Sequence, residues 1–209
     1  SADDQLARFD ASPFAASGVA WVDASVGRIV DAFLTDGSGE WTPSDVAQWL
    51  SGVESKLHGD RGIETIYVHA TGEESNFNKP AAPDPLDHPR VQAWLAYLDF
   101  VQTYRLTGYA GSAPWPHVRS THASNQNWGQ PEAIARADFP MLGMFHGVGS
   151  PSPSEQIAAA KATGKPFGLY GMRGRFGPGF YVWKSGATGS FHEFYSNYKG
   201  TLNDDWDEE

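Results

Sequence analysis

Apolar positions recur at helical spacing early in the chain. Val26, Ile29, Val30 and Phe33 predict a helix near 23–35. Trp41-Thr42-Pro43-Ser44-Asp45 marks a second helix start, with Thr42 as N-cap, Pro43 at the first helical position and Asp45 in the first turn. Val46, Trp49, Leu50, Val53 and Leu57 then fall on one stripe, and Gly59 follows as a stop. From there strands and helices alternate. A strand over 62–69 precedes a Pro-rich passage, 79–89, and Pro89 opens a helix whose Val91, Trp94, Leu95, Leu98 and Val101 share a face as far as Gly108. A strand near His117–His122, a helix over Pro131–Ala137 and a strand over Phe139–His146 come next. Ser152-Pro153-Ser154-Glu155 caps a helix that closes at Gly164. Strands over Pro166–Tyr170 and Gly179–Lys184 and a helix over 190–198 complete the pattern.

Alternating strands and helices imply βαβ units, right-handed crossovers and a parallel sheet. Segments after the strands are long and rich in His, Asn, Trp and Arg, whereas those before them, such as Gly59–Gly62 and Thr163–Lys165, are short. That asymmetry is the pattern of a (β/α)-barrel with function on one rim. About five strands are legible where a full barrel needs eight, so the expected fold is α/β, TIM-barrel-like and incomplete or truncated. Residues 1–209 form one such domain, with 1–40 an irregular or helical N-terminal portion. The first residue is Ser1 and not Met, as expected of a chain that is processed, tagged or cut from something longer.

Composition narrows the partners. The chain has 209 residues, 40% hydrophobic and 19% charged, enough for one well-buried core. A formal net charge of −10 argues against nucleic acid, which requires a basic face. No apolar run is long enough to span a membrane. There is no Cys, which removes disulfides, thiol catalysis and Cys-ligated zinc, and suits an exported, extracellular or cell-surface protein. No cofactor is expected: no phosphate-binding glycine loop follows a strand, and Gly171-Met172-Arg173-Gly174 lacks the spacing. No two His stand at metal-ligand spacing, and Asn203–Glu209 lacks the ordered pattern of a calcium loop, so no metal is expected.

The candidate chemistry lies at Ile63–Ser75, where an apolar strand runs into the Gly-flanked carboxylates Glu73 and Glu74. Successive positions face opposite ways, so neighbouring acids can be given different environments and different proton affinities. His122 and His146 each end a predicted strand and can line the rim. Trp128, flanked by Asn125 and Asn127, is the candidate sugar platform, and Trp183 in the last predicted strand is either a further substrate contact or a filler of the barrel core. Arg173 and Arg175 offer guanidinium forks to hydroxyls or to an anionic sugar.

These elements, in order, resemble a known family. The strand ending at Glu73-Glu74 is followed by a helix, by Ala137-Asp138-Phe139-Pro140-Met141-Leu142, by Ala162–Tyr170, by an Arg-containing loop and by Gly179–Gly189. Over roughly residues 60–205 this resembles the C-terminal half of (β/α)8 glycoside hydrolases that carry an Asp-Glu pair after the fourth strand. They comprise beta-N-acetylgalactosaminidase-like enzymes and related uncharacterised hydrolase-like barrels. The resemblance implies an acid role for Glu74 and an assisting role for Glu73 on a polysaccharide or glycan. Two departures stand out: Glu73 replaces the family's Asp, and the first strands are truncated. No acid follows the strand ending at Tyr170, which favours a substrate-assisted route or lost activity. A non-catalytic carbohydrate-binding or extracellular assembly protein on the same scaffold is the alternative, with association to a missing domain or other subunits.

Overall fold

Six strands form a single sheet in which every neighbouring pair runs parallel and the spatial order follows the chain, β1 to β6. The computed structural model describes residues 10, 15–24, 28–70, 85–124, 130–143, 152–170 and 180–191. The elements are β1 (Val19–Ala24), α1 (Arg28–Asp31), α2 (Pro43–Glu54), β2 (Thr65–Ala70), α3 (Pro89–Tyr104) and β3 (Val118–Ser124). They continue with α4 (Gln130–Arg136), β4 (Phe139–Gly143), α5 (Pro153–Ala162), β5 (Gly168–Tyr170), α6 (Val182–Ser185) and β6 (Gly189–Phe191). The sheet curls as a half-barrel of the α/β class. Sequential parallel order with right-handed crossovers puts the connecting helices on one face.

That face is the core. Ile66, Val68 and Ala70 of β2 and Val118 of β3 are buried together with Val46, Ala47 and Leu50 of α2 and with Val91, Trp94, Leu98 and Val101 of α3. A second cluster joins Leu142 of β4 and Leu169 of β5 to Ile134 of α4 and Ala160 of α5. On the opposite face Phe139 and Met141 pack with the half-buried Tyr67.

The helix starts form where local chemistry demands them. Thr42 Oγ1 accepts the Asp45 backbone N–H at 3.3 Å, and the Asp45 carboxylate accepts the Thr42 N–H at 2.8 Å. The hydrogen bonds from Thr42 hold the Asp45 carboxyl below its ordinary range. Ser152 and Glu155 repeat this reciprocal box at α5, and His88 Nδ1 caps α3. Thr42→Ala is expected to lower stability by about 1 kcal/mol, because one orphan N–H at the helix start loses its acceptor. Urea unfolding checks it, and an unchanged midpoint would show that the box contributes nothing. The predicted stop near Gly108 is a turn beyond α3. Gly108 has φ of 72°, and a Cβ there would lie 2.1 Å from the Ser112 carbonyl oxygen.

Three expectations are corrected. The N-terminal portion is not only irregular or helical, since Val19–Ala24 is a strand paired with β2. The helix predicted over 23–35 is reduced to α1, with 25–27 outside the described residues. The predicted strand over 179–184 contains α6 instead, and the last strand is Gly189–Phe191. Phe180, Tyr181 and Trp183 are exposed, and only Val182 packs on the second core cluster. A run of β-formers makes a strand only where a half-buried pleat is available to it. Within 190–198, residues 190–191 belong to β6 and the rest lie outside the described residues. Among the described residues no helix is long and apolar enough to cross a membrane.

Candidate functional site

Because all strands are parallel, Ala24, Ala70, Ser124, Gly143, Tyr170 and Phe191 end at one edge of the sheet. The segments carrying most of the sequence candidates leave from four adjacent strands at that edge. Glu73 and Glu74 follow Ala70, Asn125 and Trp128 follow Ser124, His146 follows Gly143, and Arg173 and Arg175 follow Tyr170. These seven residues themselves lie outside the described residues.

Two described polar groups near that edge, on the face away from the helices, are His69 and Thr121. They are register partners, with Thr121 Oγ1 3.4 Å from His69 Nδ1 and the Thr121 hydroxyl donating to the Val68 carbonyl at 3.3 Å. Asp23 pairs with His69 on the other side. His69 drew no notice in the sequence, although the signal was present. It is out of phase with the buried Ile66, Val68 and Ala70, so it must face the other way.

Further down this face lies an aromatic cluster. The Trp21 and Tyr67 ring centroids are 5.2 Å apart, Tyr67 and Phe139 5.1 Å, and Trp21 meets Phe139 edge-on at 6.0 Å. Trp21 remains 36% exposed, so part of an aromatic surface is open to solvent. Below it, a depression of about 220 Å³ is lined by Thr65, Tyr67, Arg119, Asp138, Lys165 and Pro166. Burial, and secondarily the neighbouring Arg105, hold the Arg119 guanidinium below its ordinary value, yet it stays cationic at neutral pH. Burial raises the Tyr67 phenol. Arg119 Nη1 donates to the Pro116 and Val118 carbonyls at 2.6 and 2.9 Å, and Lys165 Nζ to those of Ala135 and Ala137 at 2.8 and 3.0 Å. Asp138 accepts from Arg105 and from the Ser120 backbone N–H at 2.8 Å. The polar groups here are occupied in tying strand starts together. This end of the sheet is an anchor, and the segments carrying most of the sequence candidates leave from the opposite end.

Two sequence candidates are described, and neither lies among those segments. His122, expected at the rim, is fully buried on the helix side of β3 against Trp94, ring centroids 5.3 Å apart. It shares that face with Val118 and Ser120. With two polar residues among the three, the alternation gave no hydrophobic cue. Burial, with a smaller contribution from His69, pushes the His122 imidazole down to about 3. Trp183 is 77% exposed in α6, its ring 6.0 Å from that of Phe180. It fills no core.

One group of metal-ligand type occurs among the described residues: Glu54, His58 and His117 each offer a donor atom within 4.8 Å of the others. Sequence spacing between histidines could not show it, since β3 is brought beside α2 only by folding. The available local sign was Glu54 and His58 one helical turn apart. Comparisons of the chain with protein-family models, with curated proteins and with solved structures returned no match.

Proposed function

We propose that this chain is a glycoside hydrolase-like protein on part of a TIM-type barrel, acting on a polysaccharide or glycan. The observation that carries the reading is the departure of Glu73-Glu74 from the C-terminal end of β2, inside a sequentially ordered parallel sheet. That end of a parallel barrel strand is where enzymes of this architecture hold catalytic groups. If the pair follows a fourth strand, as in the family the sequence resembles, β1 to β6 correspond to strands three to eight. Two further strands, from elsewhere in the chain or from another subunit, would then join β6 to β1 and close the barrel.

Glu74 protonates the leaving oxygen, and Glu73 orients a 2-acetamido group that attacks the anomeric carbon in place of an enzyme nucleophile. Gly171-Met172-Arg173 after β5 supplies no carboxylate, in keeping with this route. Trp128 stacks on a sugar face, Asn125, Arg173 and Arg175 bind hydroxyls, and His146 and His69 complete the rim. The half-exposed aromatic face around Trp21 offers apolar floor beneath.

The test compares turnover of chromogenic 2-acetamido-2-deoxyhexosides with hexosides that have the same leaving group and a 2-hydroxyl. Turnover confined to the first set supports the reading, and turnover of only the second sinks the substrate-assisted route. The departure of Glu73 from the family's Asp favours one alternative, a non-catalytic carbohydrate-binding protein on the same scaffold. Glycan binding without turnover in either set would select it.

A further inference from the structure

We propose that Glu54, His58 and His117 form a binding site for a divalent transition-metal ion of the zinc type. The site lies at the N-terminal end of the strands, remote in the fold from the rim segments, and is independent of the reading above.

Its parts come from three places. Glu54 is the last residue of α2, His58 lies in the π turn Ser55–Gly59 that follows, and His117 immediately precedes β3. Glu54 is buried, which requires a partner for its charge. It finds one in His117: one carboxylate oxygen is 2.5 Å from His117 Nδ1, and the other accepts the His117 backbone N–H at 3.1 Å. A carboxylate–imidazole pair is complete in itself and needs no second imidazole. The His58 ring is stacked on that of His117, centroids 3.5 Å apart and planes 12° from parallel, so a shared ion, which must lie near the plane of each ligating ring, requires one ring to turn out of the stack.

The protonation of His58 is fixed by its only hydrogen bond among the described residues. Nδ1 stands 3.0 Å from the Ile63 carbonyl oxygen, which can only accept, so Nδ1 carries the proton of the neutral ring and Nε2 keeps its lone pair. This is the arrangement that orients a metal-ligating imidazole: one nitrogen held by a backbone carbonyl, the other presented to an ion. His117 is held in a corresponding way. Its Nε2 faces the Glu64 carboxylate at 4.0 Å, and its Nδ1 faces Glu54. A dication bound by His58 Nε2, His117 Nδ1 and a Glu54 oxygen takes the place of the proton between His117 and Glu54: His117 keeps one ring proton, on Nε2 toward Glu64, and any second ring proton goes to solvent. Both imidazoles then bind as neutral ligands, and the carboxylate offsets half the ionic charge.

The donor set selects the ion. Two imidazole nitrogens and one carboxylate suit Zn²⁺, Ni²⁺ or Cu²⁺, whereas Ca²⁺ and Mg²⁺ prefer all-oxygen shells. With three protein donors, a fourth position is left for water. Bound there, the ion ties the end of α2 to the start of β3.

The experiment uses the full chain without an affinity tag, stripped with a chelator, and titrates it with Zn²⁺ by calorimetry. One ion is expected to bind per chain, with Tm rising by about 5–10 °C when free Zn²⁺ is ~100 times Kd. His58→Gln is expected to weaken binding at least ~10- to 100-fold, and His58→Gln with His117→Gln to abolish it, while His88→Gln leaves it unchanged. His58→Gln removes the bond to Ile63 and the stack on His117 but leaves the Glu54–His117 pair in place, and circular dichroism verifies its fold. Failure of the wild-type chain to take up stoichiometric Zn²⁺ would overturn the proposal, as would equal uptake by a folded His58→Gln variant.

Discussion

Glu74→Gln is expected to lower kcat/KM on a 2-acetamido glycoside by about 10²–10⁴-fold, the usual contribution of a positioned general acid. The amide keeps the size of the carboxyl and loses only the transferable proton, so folding is expected to be unchanged. The loss should depend on the leaving group. A 4-nitrophenolate departs with little help and should lose least, whereas a sugar alkoxide needs the proton and should lose most. Glu73→Gln is expected to behave differently, because the proposed route gives it the acetamido group, and not the leaving oxygen, as partner. Its deficit should fall on kcat and be the same for good and poor leaving groups. Equal deficits for both leaving groups in Glu74→Gln would sink its assignment as the acid. A deficit in Glu73→Gln that follows the leaving group would exchange the two roles.

The parts of the fold legible in the sequence were those with local causes. The reciprocal caps at Thr42 and Ser152 declared α2 and α5, because the partners are only three residues apart. The stripes of α2 and α3 were equally plain, and their Val46, Leu50, Trp94 and Leu98 are fully buried. β1 escaped because Val19-Ala20-Trp21-Val22 is a continuous apolar run, which has no alternation to separate a strand from a helix. The 180–185 segment misled for a related reason: its aromatic and β-branched residues are strand formers on average, but there they lie largely exposed.

Site residues divide along the same line. The departure of Glu73-Glu74 from a strand end was legible, since a strand and the residues after it are contiguous. The meeting of His58 with His117 was not, because 58 residues lie between them and the turn after α2 reaches the residue before β3 only once β2 and β3 have paired. Neither was the burial of His122, whose face is decided by the pairing register of β3 and not by its own sequence.

His122 makes the fold acid-labile in a window that can be stated. Its side chain is fully exposed to water only when the chain unfolds, and in the fold neither ring nitrogen has a hydrogen-bond partner among the described residues. Desolvation therefore holds the imidazole at about 3 in the folded state, below the ordinary 6.5. Between those values the unfolded chain binds a proton that the folded chain does not, so stability falls as the pH falls. Above 6.5 both states are neutral and the full stability is present; the loss accumulates as the pH drops from 6.5 toward 3. Two pH units into the window, at about pH 4.5, the expected loss is roughly 3 kcal/mol, from ~1.4 kcal/mol per unit. Carboxylates such as Asp45 and Glu155, whose caps hold them low, also lose stability on acidification, so the wild-type curve alone does not isolate the histidine. The comparison with His122→Leu does, because that variant keeps every carboxylate and removes the buried proton acceptor. Urea midpoints at about pH 7 and pH 4.5 should converge in the variant relative to the wild type. Since a buried, unpaired imidazole is replaced by an apolar side chain, the variant is expected to be the more stable of the two at the acid value. Parallel losses in both proteins would show that His122 gains a partner or water on folding, and that its burial does not set the acid limit.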